Sequence, residues 1–363
     1  MTVTRRKFLP AAAAVATSTL AAPAIAQGDP TIKWRLTSSF PKSLDTLFGA
    51  VQAIARITGE MTDGKFQLTP FAAGEIVPAL QVLDAVSNNT VECGHTYTGY
   101  YIGKNPSLIF DGSLPFGLTP RMHNAWMLFG NGRKLMDEVY DSFGVVALPA
   151  GQTGGQMFGW FRKELKTPKD FEGLKMRTAG FGGKVMSKLG AVPQQIAGGD
   201  IYPALERGAI DSAEWVGPYD DEKLGFYKIA PNYYFPGWWE SNSMYSFYVN
   251  LKEWEKLPKE YQAAIEAACY EANIDMMAKY DSKNVPALQR LVKNGVKLHQ
   301  FSAEILKAAQ KAAYELYEDE AAKNPSWKKI YEPWKKFRAE QFLWHRVQEF
   351  AYESFVYNNP LGK

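Results

Sequence analysis

The chain has 363 residues, 46% hydrophobic and 22% charged, an ordinary composition for a globular protein with room for two domains. Its formal charge of +3 is carried by Arg5, Arg6 and Lys7, so the remainder is formally neutral and offers no charge-driven affinity for nucleic acid or anionic membrane. No apolar run after residue 26 is long enough to span a membrane.

The first segment reads as a leader. "TRRKFL" (4–9) is basic, an Ala-rich apolar stretch follows, and "AIA" (24–26) is a small-x-small cleavage site. Residues 1–26 are therefore expected to be a signal peptide and the mature protein periplasmic. Arg5-Arg6 followed by Phe8-Leu9 favours the twin-arginine route over a Sec signal that happens to carry two arginines. Cys93 lies in a strand-like run and Cys269 in a helical one, and both read as buried free thiols, although an oxidising compartment permits a bridge.

In chain order, 31–40 alternates like a strand. Residues 43–58 have helical apolar spacing with Ser43 as a possible N-cap. Strand 65–72, helix 75–88 and strand 90–97 complete a β-α-β-α-β pattern, the mark of an α/β layer with a mostly parallel sheet. A long amphipathic helix is expected over about 121–142, then a strand over 143–151. A second α/β unit follows, with strands near 156–162, 173–180, 191–197 and 211–216 and helices near 182–190 and 199–210. The apolar run 243–254 reads as one strand returning to the first unit. Helix 258–294, strand 296–301 and helices from Ser302 to about Asn358 end the chain, with Pro325 and Pro333 interrupting the last stretch.

The expected division is 27–150 plus 245–300 as the first domain, 151–244 as the second, and 301–363 as C-terminal helices. The fold class is α/β, two domains around a cleft. Chain crossings near 150 and 240–250 imply a hinge, and small-molecule sites favour such interfaces.

Motifs for chemistry mostly fail. His95, His123, His299 and His345 are scattered, and neither H-x-x-x-H nor C-x-x-C occurs, so an ordinary zinc site is not expected. "GFGGK" (180–184) lacks the Walker spacing, with Thr178 and Val185 at the positions that need Gly and Ser or Thr. G-x-S-x-G is absent, and an enzyme using paired carboxylates would lack a nucleophile or cofactor motif.

What stands out is acid beside aromatic. "SAEWVGPYDDEK" (212–223) places Glu214 against Trp215, and "PGWWE" (236–240) places Glu240 after two tryptophans. Two acids in such settings are costly unless something positive joins them. A structural ion pair is one solution and a ligand site is the other. Arg177, ending "GLKMR", can present a planar fork to a carboxylate, and Gln156 follows a glycine pair.

"SSFPKSLDT", "VPQQIAGGDIYPALERGAIDSAEWVGPYDDEKLGF" and "PGWWE" resemble the extracytoplasmic solute receptors of TRAP transporters, in the branch that binds 2-oxo acids such as pyruvate. The resemblance covers about 30–360 and implies a periplasmic-binding-protein fold, no enzymatic activity, and delivery of ligand to TRAP membrane subunits. It implies Arg177 as the carboxylate clamp. It implies Gln156, Glu214, Trp215 and Glu240 as contacts to the ligand and to a metal cation, sodium or calcium, with Trp215 using its carbonyl. Tyr100 and Tyr101 are expected to border the ligand. One departure is visible. After His95-Thr96 the resemblance leads us to expect a small residue and then aromatics, whereas this chain reads Tyr97-Thr98-Gly99-Tyr100-Tyr101-Ile102.

A cation resolves the charge problem. Arg177, two glutamates and a monocarboxylate sum to −2 in a closed cleft, which sodium reduces to −1 and calcium to zero. The expected ligand is a small 2-oxo acid, or a 2-hydroxy acid such as lactate. A dicarboxylate would want a second basic residue that the sequence does not place. The aromatic helices after 302 must be covered, either by the lobes or by a second copy, and the resemblance implies a homodimer.

Overall fold

The computed structural model describes residues 30–360. The expected signal peptide lies outside them. Eleven strands form two sheets: β1 (Ile32–Ser38), β2 (Phe66–Phe71), β3 (Cys93–Tyr97), β4 (Val145–Gln152), β5 (Gly159–Phe161), β6 (Lys175–Arg177), β7 (Val192–Gln194), β8 (Ser212–Ala213), β9 (Asn232–Phe235), β10 (Met244–Asn250) and β11 (Lys297–Gln300).

The first sheet has the order β2-β1-β3-β10-β4. β1 pairs parallel with β2 and β3, while β10 runs antiparallel to β3 and β4. β3 and β10 are buried along their whole length, which is why they read as apolar runs rather than alternating ones. The helix Leu47–Met61 turns Leu47, Val51, Ile54 and Thr58 inward at helical spacing and packs beside β2.

The second sheet has the order β11-β9-β5-β8-β6-β7. Here the expected division needs correction. Residues 297–300 were assigned to the first domain, yet β11 pairs parallel with β9 of the second sheet, Leu298 opposite Tyr233. A four-residue strand carries no mark of which sheet edge it will join, and pairing is decided by the open edge it meets.

The chain thus crosses between sheets at β4–β5, at β9–β10 and again before β11. The third crossing is made by one 35-residue helix, Lys259–Lys293, which packs on β4, on Leu47–Met61 and on the short helix Pro218–Leu224 of the other lobe.

Two further expectations shift. The helix foreseen over 121–142 is two helices, Pro120–Phe129 and Gly132–Asp141, broken where Asn131 takes a left-handed φ of 66°. The return strand stops at Asn250, whose side chain accepts from the N–H groups of Lys252 and Glu253 and starts a helix at Leu251. Ser43 is not the cap of the first helix. Thr46 stands in that place and gives its hydroxyl to Asp220 instead.

The C-terminal helices Ala303–Lys323 and Pro325–His345 strap both lobes. Trp327 is fully buried between Phe110 of the first lobe (4.7 Å between ring centroids) and Phe181 of the second (5.1 Å). Pro325 sits at the first helical position, where its missing N–H costs nothing. Cys93 and Cys269 are free and buried. Among the described residues, no helix is long and apolar enough to cross a membrane.

Candidate functional site

The site forms where the two sheets face each other. β6 ends in Arg177, β8 runs into Glu214 and Trp215, and the β9–β10 crossover carries Glu240. These are the carboxyl ends of strands, where open α/β sheets hold their ligands.

Arg177 is buried and reaches along β8. Its Nη1 donates to the Glu214 carboxylate at 2.7 Å and to the Glu214 carbonyl at 2.9 Å, and its Nε donates to the Ile196 carbonyl at 3.0 Å. The guanidinium stacks over Trp215, 4.9 Å from the ring centroid. Nη2 makes no hydrogen bond within the protein. Glu214 is in the same position. Its Oε1 accepts from Arg177 and from the Ala179 N–H at 2.8 Å, while Oε2 has no partner. Burial pushes this carboxyl up to about 7 despite the lowering pull of Arg177 and Ala179.

Glu240 approaches from the opposite side. It accepts from Tyr97 on Oε1 and from Ser243 on Oε2, and burial holds it well above the ordinary carboxylate range. Gln156 links the crossover to Trp215. Its amide oxygen accepts from Ser243 N–H (3.1 Å) and Thr153 Oγ1 (3.0 Å), and its amide nitrogen donates to the Trp215 carbonyl at 3.3 Å, while the single proton of the Ser243 hydroxyl goes to Glu240.

Tyr97, Tyr100, Arg177, Glu214, Trp215, Trp239, Glu240, Ser243 and Tyr245 enclose one cavity of about 20 Å³, room for little more than a water. A wider opening of about 640 Å³ lies between Ser39, the 73–81 loop and residues 195–200. Gln195 Nε2 donates to the Tyr100 carbonyl across that boundary at 3.0 Å. The Tyr100 phenol lies against Arg177, and burial raises it to about 12.

The fold therefore brings together Arg177, Glu214, Trp215, Glu240, Gln156 and Tyr100. It does not bring in Tyr101. That ring turns into the first lobe, where its hydroxyl pairs with Thr96 Oγ1 at 2.9 Å and accepts from the Leu83 N–H at 3.3 Å. The reason is the tight turn over Thr98–Tyr101: successive side chains on a 3₁₀ turn point about 120° apart, so Tyr100 and Tyr101 cannot both face the cleft. Ser243 and Tyr245 were missed by sequence reasoning, and Tyr97 was named only within the loop that departs from the expected pattern. Tyr97 ends a strand, a position that points to the cleft, whereas nothing local distinguishes Ser243.

The donor set fits a hard cation. Two carboxylates, one with an unpartnered oxygen, converge with the Trp215 carbonyl and the Gln156 amide. Gln156 would contribute its oxygen after a half-turn of the amide. Among the described residues there is no cluster of three or more His, Cys, Asp or Glu side chains suited to a metal. His95 and His123 are buried structural residues, bonded to the Ala150 carbonyl (3.1 Å) and Asn242 (3.2 Å), and burial lowers both to about 4.

The model for bacterial extracellular solute-binding protein family 7 matches residues 37–324. The chain belongs to this family. A monocarboxylate 2-oxoacid-binding periplasmic protein of Nostoc sp. is 51% identical over 95% of this chain and 96% of its own. A TRAP transporter solute-binding protein from Bordetella bronchiseptica RB50 superposes with a TM-score of 0.90 at 50% identity, covering 91% of this chain and 98% of that one. That structure is a mixed-occupancy dimer with copurified calcium and picolinate. A TRAP solute-binding protein from Pseudoalteromonas atlantica, with bound sodium and pyruvate, has a TM-score of 0.87 at 35% identity, covering 90% and 99% of the two chains. The chain is a TRAP solute receptor of the two-lobed α/β type, in a family of solute-binding proteins rather than enzymes.

Proposed function

We propose that this receptor binds a small monocarboxylate carrying a second donor atom on C2, together with one hard cation, and hands it unchanged to TRAP membrane subunits. Pyruvate and related 2-oxo acids are the preferred ligands, with lactate-like 2-hydroxy acids next.

The observation that carries this reading is the pair of unpartnered atoms on Arg177 and Glu214. Leaving a buried donor or acceptor unpaired costs about 1–3 kcal/mol, more when it is charged. Here both lie around the cavity that also holds Glu240. Arg177 Nη2 suits a ligand carboxylate, while Glu214 Oε2 suits a cation. The cation would be held by Glu214, Glu240, the Trp215 carbonyl and Gln156, and it supplies the positive charge that the two glutamates and the ligand carboxylate require.

Picolinate, found in the Bordetella protein, shares one feature with pyruvate: an electron-pair donor two bonds from the carboxylate carbon. Chelation through the carboxylate and that donor is the common requirement. Tyr97, Tyr100, Trp215 and Trp239 line the cavity and offer apolar faces against which a short tail or a flat ring would pack once the cleft widens around the ligand. A dicarboxylate would add a charge with no second basic partner at this cavity.

Titration calorimetry on refolded, chelator-treated mature protein tests the reading. Pyruvate, lactate and propionate are titrated with no metal, with sodium and with calcium. Heat with pyruvate that requires one cation, and little with propionate, is the expected result. Equal binding in all three conditions would leave Glu214 and Arg177 as a structural pair. Tight propionate binding would remove the chelate. Recovery of unchanged pyruvate from the complex separates a receptor from an enzyme.

The exposed end of the last helices supports assembly with a second copy. Leu343, Trp344, Val347, Phe350, Phe355 and Tyr357 are all exposed, beside a groove of about 760 Å³ between the helix end and the first lobe. A patch of this kind marks a protein contact. A monomeric mass at micromolar concentration would remove the homodimer. Export by the twin-arginine route is part of the same proposal, and replacing Arg5-Arg6 by Lys-Lys should block it.

A further inference from the structure

We propose that Tyr97 sets the size limit of the ligand and aims Glu240 at the cation. This rests on the reading in the preceding subsection and names a residue that determines its specificity.

Tyr97 is the last residue of β3, paired with Tyr245 of β10 in the middle of the first sheet. The ring leaves the sheet into the cleft and borders the cavity. Tyr100 packs edge-on against it at 5.4 Å and Tyr245 lies at 5.9 Å. The hydroxyl donates to Glu240 Oε1. A residue on one sheet thus grips a carboxylate that the crossover from the other sheet brings in.

Three glycines make room for it. A Cβ at Gly99 would overlap Cε1 of the Tyr97 ring. One at Gly112 would lie 2.8 Å from Cε2, on the other edge. One at Gly180 would lie 2.9 Å from the hydroxyl and 3.5 Å from Glu240 Oε1. Real Cβ atoms do not approach other atoms under 3.0 Å, so a side chain at any of these positions would displace the ring. Gly99 and Gly112 belong to the first lobe, and Gly180 opens a helix of the second. Both edges and the tip of one side chain are therefore fitted by glycine from both sides of the cleft.

The departure noted in the sequence now has a physical account. An aromatic ring at 97 fills the space over position 99, so 99 must be glycine. The ring stands as a wall packed between Tyr100 and the glycine positions. In a cavity of about 20 Å³ such a wall sets the volume available to the ligand tail. Its hydroxyl engages Oε1 of Glu240 while Ser243 engages Oε2, so the carboxylate is oriented from both sides. Hydrogen bonds of this outer kind tune metal affinity about 10–100-fold.

The two roles separate in three variants. Tyr97→Phe keeps the wall and removes the hydroxyl. Tyr97→Leu removes most of the wall while keeping an apolar residue, and Tyr97→Ala removes it entirely. Calcium alone, then pyruvate, 2-oxobutyrate and 2-oxoisocaproate in calcium, are titrated into each. Tyr97→Phe should weaken calcium binding roughly tenfold and leave the order of the acids unchanged. Tyr97→Leu and Tyr97→Ala should raise the affinity ratio of 2-oxoisocaproate to pyruvate by roughly tenfold or more. A residue that merely supports the fold would shift all three acids together. An unchanged ratio in both Leu and Ala variants overturns the size limit, and unchanged calcium affinity in the Phe variant overturns the aiming role. If the wild type binds calcium but no 2-oxo acid, the ligand assignment and the size limit fail together, and the calcium arm still decides the role of the hydroxyl. A wild type that binds neither overturns both roles along with the functional reading.

Discussion

Of four buried acids, three of them within one eight-residue stretch, Glu214 alone keeps an unpartnered oxygen. Asp220 and Asp221 open the helix Pro218–Leu224, six residues after Glu214, and are as buried as Glu214 and Glu240. Asp220 accepts from Thr46 Oγ1 (2.8 Å) and the Tyr280 hydroxyl (2.6 Å), tying the second lobe to the first and to the long helix. Asp221 accepts from Trp160 Nε1 (2.9 Å) and the Tyr233 hydroxyl (2.7 Å) within its own lobe. Every oxygen of this pair has a partner. In the cleft pair Glu214 keeps an oxygen without one, beside an arginine that keeps a nitrogen without one. Burial is the same in all four acids, and what distinguishes Glu214 is the unfilled hydrogen-bonding capacity it shares with Arg177.

The comparison breaks most readily at Arg177. Arg177→Met should abolish ligand binding, and leaving Glu214 buried without its partner should cost about 3–5 kcal/mol of stability. Calorimetry and urea unfolding read the two effects separately. A variant that still binds pyruvate at wild-type affinity would make the Arg177–Glu214 pair no more than structural.

Next comes Asp221. Asp221→Leu leaves three buried donors, Trp160 Nε1, the Tyr233 hydroxyl and the Val216 N–H, without their acceptor and should cost about 1–3 kcal/mol, with pyruvate affinity within roughly twofold of wild type, a change of under about 0.5 kcal/mol. A large affinity loss at unchanged stability would place Asp221 in the binding machinery and erase the distinction. The same residue gives a pH test. Burial raises its carboxyl from 3.8 to about 7, so across that window the native state holds a proton that the unfolded chain releases. Stability from this group is therefore fully present below 3.8 and declines as pH rises to about 7. Asp221→Asn should flatten that slope in pH-dependent unfolding.

Smallest is the third acid of the motif. Glu222 is held by Arg290 on the long helix, at 2.6 Å and in the open. Exposed pairs contribute little, so Arg290→Ala should leave the urea midpoint and pyruvate affinity unchanged. A loss comparable with that of Asp221→Leu would show that this pair, too, joins the lobes.

Much of this site was legible from local pattern. An acid beside tryptophan at the end of an apolar segment is unfavourable in any fold unless compensated, so Glu214 and Glu240 announce themselves. The α/β alternation and the two nearer crossings follow from side-chain periodicity, because periodicity reflects which face is covered. Tyr100 and Tyr101 were not sorted correctly, since the angle between neighbours on a turn depends on whether the turn tightens to 3₁₀. Ser243 left no local trace.

The sequence by itself determined the α/β alternation of most elements, the need for a positive partner near two acids, and the family. Those depend on local spacing and composition. Only the tertiary structure decided that β11 joins the second sheet, that Asp220 and Asp221 are satisfied while Glu214 is not, and that three glycines from two lobes hold one tyrosine. Each of these depends on which groups meet across space, and hydrogen-bond satisfaction is a property of the meeting rather than of either residue.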